Sequence, residues 1–384
     1  MVVLVVATTI DPASIGPASS LLAMPGWEPG PSLQGIPSYV NGNVRLLKHD
    51  NSIVKEDYLD RRWGEATGEA VDEVIFLSKH VAVSNRPALT IHPIGVPHLR
   101  DDEVPPAGGK PGWAAPPNPR MGAWMKLLKN IAESHNLVPE FEVTMEATHH
   151  GPLVDAPTMF LEIGSTEEYW KRQDAALVMA SLVWKGLGLH GDGDVGNWNR
   201  ENNKKKVLLG IGGGHYVPRH MDIIMKDNIW VGHLLSGYSL PMEDRNQSRE
   251  ENDDGIGGQW RKAVKVSYEA TKSAFPGGEI LAHLDHKQLP RGRGKCSIAK
   301  MDVEAAPRSS TKAATQEVLD LAMEVLVDVD GEWIDDMFQS LLFYEIEFRG
   351  IFRFALSFKS WQKNAIIAFL AEQNIKIGKP TDFI

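Results

Sequence analysis

Only one cysteine, Cys296, occurs in the 384 residues. That excludes a disulfide framework and any zinc site built on thiolates, so a metal here must be held by histidine and carboxylate. Positive charge is also short: 40 lysines and arginines stand against 50 aspartates and glutamates, a net charge of −10. A protein that coats nucleic acid through a broad basic surface is thereby excluded, whereas one that grips RNA through a local basic patch is not. No apolar run reaches transmembrane length, which argues against a membrane protein. The opening stretch Met1–Thr8 is apolar but short and lacks a basic flank, so it reads as a first buried strand and not a signal peptide. Together these absences point to a soluble protein of the cytoplasm, with the nucleus as a second location. What the chain does have is a hydrophobic share of 42%, enough for a real core at this length.

Strand and helix signals alternate along the chain, the α/β pattern. Apolar or alternating runs predict strands at 2–7, 72–77, 88–92, 140–147, 158–163, 206–211, 229–233 and 279–284. Helical periodicity predicts helices at 121–135, 166–185, 218–226 and 258–274. Ser165 or Thr166, followed by Glu167 and Glu168, marks the start of the second helix. Segment 101–120 is rich in proline and glycine and reads as a long surface loop, a common place for function. Segments 190–205 and 242–257 are polar.

The densest cluster runs from Gly210 to His220. An apolar strand, Lys206–Ile211, leads into Gly212-Gly213-Gly214-His215, and Pro218 suits the first turn of a helix. Bare backbone and imidazoles thus fall past the carboxyl end of a strand, where α/β proteins place their chemistry. The run is not a phosphate-binding loop of the Gly-Lys-Ser/Thr kind, and it fits a dinucleotide fingerprint poorly. By itself it reads equally well as a structural turn with satisfied histidines. Three other strands end in the same way: 141–145 runs into Glu146-Ala147-Thr148-His149-His150, 158–163 carries Glu162, and 279–284 delivers His283, Asp285 and His286. Of the thirteen histidines, six fall at positions 149, 150, 215, 220, 283 and 286, a concentration that a chance scatter would not give.

Taken together, Ala147–Pro152, Glu162–Trp170, Gly210–His220, Gly232–Tyr238 and Ala282–Lys287 resemble the archaeal and plant-type D-aminoacyl-tRNA deacylases, most closely the plant ethanol-tolerance member. The resemblance covers about 1–287 and 357–384. It implies an α/β three-layer α/β/α sandwich with a mixed, mostly parallel sheet, phosphorylase/hydrolase-like. It also implies zinc, and a monomer that hydrolyses the ester of D-aminoacyl-tRNA, aldehyde-modified forms included. One departure stands out. In the family pattern, His283-Leu284-Asp285-His286-Lys287 runs almost directly into the helix that starts at Ser357; here about seventy residues, 288–356, intervene, far beyond an ordinary loop. That segment reads as an atypical insertion, poorly ordered or partly helical, of the kind an alternative gene product would carry. It leaves open a catalytically impaired isoform that only binds or regulates. Another metal-dependent hydrolase on the same fold is the other alternative.

Ester hydrolysis needs an activated water, a stabilised oxyanion and a proton for the ribose oxygen. His283 and Asp285, two apart on a strand, share a face and are expected metal ligands. His149 and His150 are neighbours, so only one readily faces the same point; His149 is placed as a ligand and His150 in catalysis. His215 or His220 adds a further ligand, with His215 assigned to the metal and His220 to catalysis. Glu162, a carboxylate inside an apolar strand, needs a partner and is placed as a general base or an orienting group. Backbone N–H groups of Gly212, Gly213 and Gly214 suit an oxyanion or a phosphate. Lys110 and Arg219 are expected on the tRNA backbone. For His150 a turn-stabilising role, and for Lys110 an ordinary solvated loop, are the plain alternatives.

Overall fold

The computed structural model describes residues 1–226, 229–241, 243–244, 256–257, 259–285 and 363–383. Strand β1 (Val2–Thr8) shows why the sheet must be covered on both sides. All seven of its residues are buried. Alternate side chains leave a strand on opposite faces. Val3, Val5 and Ala7 enter one apolar cluster, and Val2, Leu4 and Val6 enter the other. A strand that is apolar on both faces belongs in a parallel sheet between two covering layers.

Seven more strands complete that sheet: β2 (Glu28–Leu33), β3 (Ile36–Asn41), β4 (Val44–His49), β5 (Val71–Lys79), β6 (Ala88–His92), β7 (Glu142–Met145) and β8 (Thr158–Gly164). Their order is β2-β3-β4-β1-β5-β8-β6-β7. β1 pairs in parallel with β4 and β5, β5 with β8, and β6 with β7. The β2/β3, β3/β4 and β6/β8 pairs are antiparallel. Strands β9 (Lys206–Gly212) and β10 (Trp230–Leu235) belong to a second sheet; β11 (Glu243–Asp244) and β12 (Ile256–Gly257) form a short antiparallel pair. With β13 (Glu279–Asp285) and β14 (Lys376–Ile377) the second sheet runs β10-β9-β13-β14, parallel throughout.

Helices α1 (Pro12–Leu22), α3 (Met121–Ser134) and α5 (Gln173–Gly186) send Leu21, Leu128 and Leu182 into the cluster that holds Val3 and Val5. Helix α2 (Leu59–Thr67) sends Leu59 and Trp63 into the opposite one. This is the expected three-layer α/β arrangement with a mixed, mostly parallel sheet. Three shorter or more peripheral helices are α4 (Glu167–Trp170), α6 (Pro218–Ile224) and α7 (Trp260–Ala274). Met1–Arg293 and Ala365–Ile384 form one compact unit.

Every predicted strand is present. The helix predicted over 166–185 is broken into α4 and α5. At the break Arg172 has an extended backbone (φ −65, ψ 114), and its guanidinium bonds Asp174 and Glu140, both at 2.7 Å. The 101–120 loop is exposed only in its first part. Its later residues turn inward, because Arg120 is buried on Glu73 at 2.7 Å and Asp194 at 3.0 Å, with Asn118 beside it. The insertion read at 288–356, and His286, lie outside the described residues.

Two contacts join the sheets where the site forms. Ala147 N donates to His215 O at 2.8 Å, and Thr148 N donates to Leu234 O at 2.7 Å. The residues following β7 are thereby tied to the loop after β9 and to the end of β10.

Candidate metal centre

The site is assembled from strand ends. β5 passes into His80, β6 ends in His92, β7 runs into Glu146, and β8 carries Glu162 opposite Ser78 of β5 and Thr90 of β6. Glu146 N donates to Ile91 O at 3.0 Å, which sets its side chain beside that of His92. The turn after β9 supplies His215. Gly212 and Gly213 make that turn with φ of 92 and 91, and a Cβ at Gly213 would lie 3.0 Å from Asp285 Oδ2. Val217 then sits in the left-handed region at φ 42, a strained conformation for a β-branched residue and typical of functional loops.

Glu146 is fully buried and forms the hub. Its Oε2 lies 2.8 Å from His215 Nε2 and 3.4 Å from His149 Nε2, and its Oε1 lies 3.0 Å from His80 Nδ1. Glu162 is 3.7 Å from His80 Nδ1 through Oε2, and 3.7 Å from His92 Nε2 through Oε1. The rings of His149 and His150 are 4.2 Å apart, and those of His92 and His149 are 4.1 Å apart. Two tyrosines close the outer side. Tyr216 Oη is 2.7 Å from His80 Nε2, and Tyr238 Oη is 3.0 Å from His215 Nδ1.

The hydrogen-bond pattern shows what the cluster lacks. Nδ1 of His92 faces the Pro93 carbonyl at 3.1 Å, and Nδ1 of His149 faces the Ala147 carbonyl at 2.7 Å. A carbonyl there fixes the proton on Nδ1 and leaves Nε2 bare. In His149, which burial keeps neutral, that bare nitrogen faces the Glu146 carboxylate; His92 is instead held up, against burial, by Glu162 and can carry a second proton toward it. Lone pair against carboxylate repels unless a cation lies between. His92 Nε2, His150 Nδ1 and Glu162 Oε1 are buried without a well-formed hydrogen bond, a costly state for polar atoms. A metal ion would satisfy such atoms, and imidazole with carboxylate is a suitable donor set.

Charge follows the same geometry. Burial alone would push His80 down, but the carboxylates of Glu146 and Glu162 hold it up at about 11. Burial opposes ionisation of Glu146, yet His215 and His80 keep it well below the usual carboxylate range. His150 is pushed down to about 4, by burial first and then by His92. Burial likewise drives His149 well below the usual imidazole value. His149 and His150 are therefore neutral beside ionised carboxylates, as metal ligation requires, whereas His80 holds a proton that a bound metal ion would displace.

Ligand atoms lie within 4.8 Å of one another in three groups among the described residues: His80, Glu146 and His215; His92, Glu146 and Glu162; and His92, His149 and His150. The groups share Glu146 and His92 and make one centre. His149, His150, His215 and Glu162 of the sequence reading are brought together in it. His283, Asp285 and His220 enter none of the three groups. The reason lies in the register: His283 and Asp285 sit beside Gly210 and Gly212 of β9, before the glycine turn carries the chain to His215. His283 Nδ1 instead meets His220 Nδ1 at 2.9 Å, His220 Nε2 donates to Gly212 O at 3.3 Å, and Asp285 holds Arg219 at 3.4 Å. The carbonyl of Gly213 is taken by Gly237 N at 2.8 Å, and that of Gly214 by Val217 N. Lys110 is exposed on a loop that docks beside the site, with Gly151 N donating to Ala107 O at 3.1 Å. Reading the sequence missed Glu146, His80 and His92 as site residues. The signal was available, since His80 and His92 also stand at the carboxyl ends of predicted strands.

The covered α/β sheet thus brings to its strand ends buried histidines and carboxylates that could hold a metal ion. The chain belongs to the D-aminoacyl-tRNA deacylase family, whose family model matches residues 67–302. It is 57% identical over 385 residues to the D-aminoacyl-tRNA deacylase of Arabidopsis thaliana, spanning the whole of both chains. Over 241 residues it is 32% identical to the enzyme of that name from Pyrococcus horikoshii, covering 62% of this chain and 81% of that one. A crystal structure described as a conserved protein of unknown function superposes with a TM-score of 0.57 at 27% identity, over 75% of this chain and 87% of its own.

Proposed function

We infer that this chain hydrolyses the ester joining a D-amino acid to the end of tRNA, with zinc as its metal. The activity rests on the full-length likeness to the Arabidopsis thaliana enzyme. The metal rests on the clustering of histidine and carboxylate ligand atoms within 4.8 Å of one another, with His92 Nε2, His150 Nδ1 and Glu162 Oε1 buried beside it without a well-formed hydrogen bond. His80, Glu146 and His215 would hold zinc, His80 releasing its proton to solvent as the metal binds, three protein ligands leaving a position for water and substrate. Zinc supplies a water of lowered pKa and polarises the ester carbonyl. Glu162, buried and ionised, orients His80 and His92 from behind. His150, held neutral, can accept a proton close to the reacting ester and return it to the ribose oxygen. Lys110 on its exposed loop meets the tRNA backbone. An aldehyde adduct on the amino group leaves the ester carbonyl unchanged, so the same centre serves aldehyde-modified D-aminoacyl-tRNA. The reading places the protein in the cytoplasm, where charged tRNA is consumed, working as a monomer.

The test is hydrolysis of tRNA charged with D-tyrosine or L-tyrosine, with and without chelator. Rapid loss of the D ester alone, abolished by chelator and restored by zinc, is expected. Equal rates on both esters would refute the substrate, and indifference to chelator would refute the metal.

A further inference from the structure

His215 reaches in two directions. Its Nε2 engages Glu146, and its Nδ1 lies 3.0 Å from Tyr238 Oη. Tyr238 sits on a short turn, Gly237–Ser239, directly after β10. The mount is rigid. Gly237 N donates to Gly213 O at 2.8 Å, and the hydroxyls of Ser236 and Ser239, both buried, are 3.1 Å apart. Despite this, the Tyr238 side is 52% exposed. His98 meets its ring edge-on, at 79° and 6.3 Å, and His215 lies 6.1 Å away. Tyr58 is the other tyrosine with large exposure among the described residues, and there the Arg61 guanidinium covers the ring at 4.7 Å. Tyr238 is thus an aromatic surface pinned to the metal centre and left open to solvent.

Such a feature suits a particular occupant. Single-stranded nucleic-acid ends are held by stacking bases on fixed aromatic rings, a contact every base can make. The terminal ribose of aminoacyl-tRNA carries both the ester and the base, so a base platform must lie within one nucleotide of the reacting carbonyl. A ring bonded directly to a histidine of the centre meets that condition. A chain with net charge −10 also has little broad phosphate attraction to hold the tRNA end, which leaves more of that task to stacking. We propose that Tyr238 is the platform on which the terminal adenine of tRNA stacks, presenting the ester to the centre formed by His80, Glu146 and His215. This rests on the deacylase reading above.

The experiment uses the full chain and an uncharged acceptor-stem minihelix with 2-aminopurine as its terminal base, whose fluorescence is quenched by stacking. The wild-type protein and Tyr238→Phe, which keeps the ring, quench the probe on binding. Tyr238→Leu does not, and it raises KM for D-aminoacyl-tRNA roughly ten- to a hundredfold, the scale of one lost base–aromatic stack. Tyr238→Phe loses the His215 contact and takes its effect in kcat, with KM within about twofold of wild type. Tyr238→Ser serves if the leucine variant does not fold. An unquenched wild-type complex, or a leucine or serine variant with wild-type quenching and KM, overturns the proposal. A wild-type protein that fails to hydrolyse D-aminoacyl-tRNA overturns the deacylase reading instead, so the two failures are distinct.

Discussion

Replacing Glu146 with glutamine tests the centre most directly. The substitution keeps shape and volume but removes the charge that His80, His149 and His215 all face at 3.0, 3.4 and 2.8 Å. Two effects of different size follow. For the chemistry, losing a group that both ligates metal and sets the neighbouring imidazoles should lower turnover by roughly two to four orders of magnitude. For the fold, breaking a buried charge pair by removing one partner costs about 3–5 kcal/mol. Glu162 remains 3.7 Å from His80, so the lower end of that range applies, about 3 kcal/mol. A domain of this size tolerates that loss, and the variant should fold while losing zinc. The assays are single-turnover hydrolysis of D-tyrosyl-tRNA, zinc content after dialysis, and a denaturant melt. A variant that keeps its zinc, melts like wild type and turns over within about threefold of it would refute the placement of Glu146 at the hub.

Lys110→Glu should raise KM for the tRNA substrate more than it lowers kcat, checked by steady-state kinetics at two salt concentrations; an acidic protein neutralises few phosphates, so the salt dependence itself should be shallow. Acid should unfold the protein through buried neutral histidines. Burial first, and then His283, push His220 down to about 3, while burial pushes His233 down to about 4. Unfolded histidines bind protons below about 6.5 and these two do not, so stability is whole above that pH and falls as pH drops toward 4, each adding a slope of about 1.4 kcal/mol per pH unit. Denaturant melts across that window check this, and His220→Gln should flatten the curve. Deleting 288–356 should leave chelator-sensitive deacylation within about fivefold of the full chain, because β13 and β14 on either side pair directly, Leu281 beside Lys376; loss of folding on deletion would show the segment to be integral.

The central strands were readable because they are short, mostly apolar runs buried on both faces, as in β1 and β8, bounded by turn residues. The antiparallel edge β2–β4 was not, since Pro29, Pro31 and Pro37 interrupt the pattern that marks a strand. Helix α1 was hidden by Gly16 and Pro17, poor helix formers that tertiary packing overrides. At the site, histidines adjoining the glycine run drew notice through their local company. Glu146 did not, although it stands three residues before His149, because nothing local to it shows that the chain-distant His80 and His215 also converge there. The pairing of His283 with His220 rather than with the centre depends on where a glycine turn lets the chain depart from its strand, which periodicity cannot supply.

The two backbone bonds that tie Ala147 to His215 and Thr148 to Leu234 have a consequence for synthesis. The candidate ligands are spread from His80 to His215, and the sheet that seats His215 places β9 between β10 and β13. A chain still emerging from the ribosome cannot assemble the centre until residues near 285 are out. An enzyme that cleaves aminoacyl esters is thus silent as a short fragment, and becomes competent only after about three quarters of its length has left the machine whose substrates it polices.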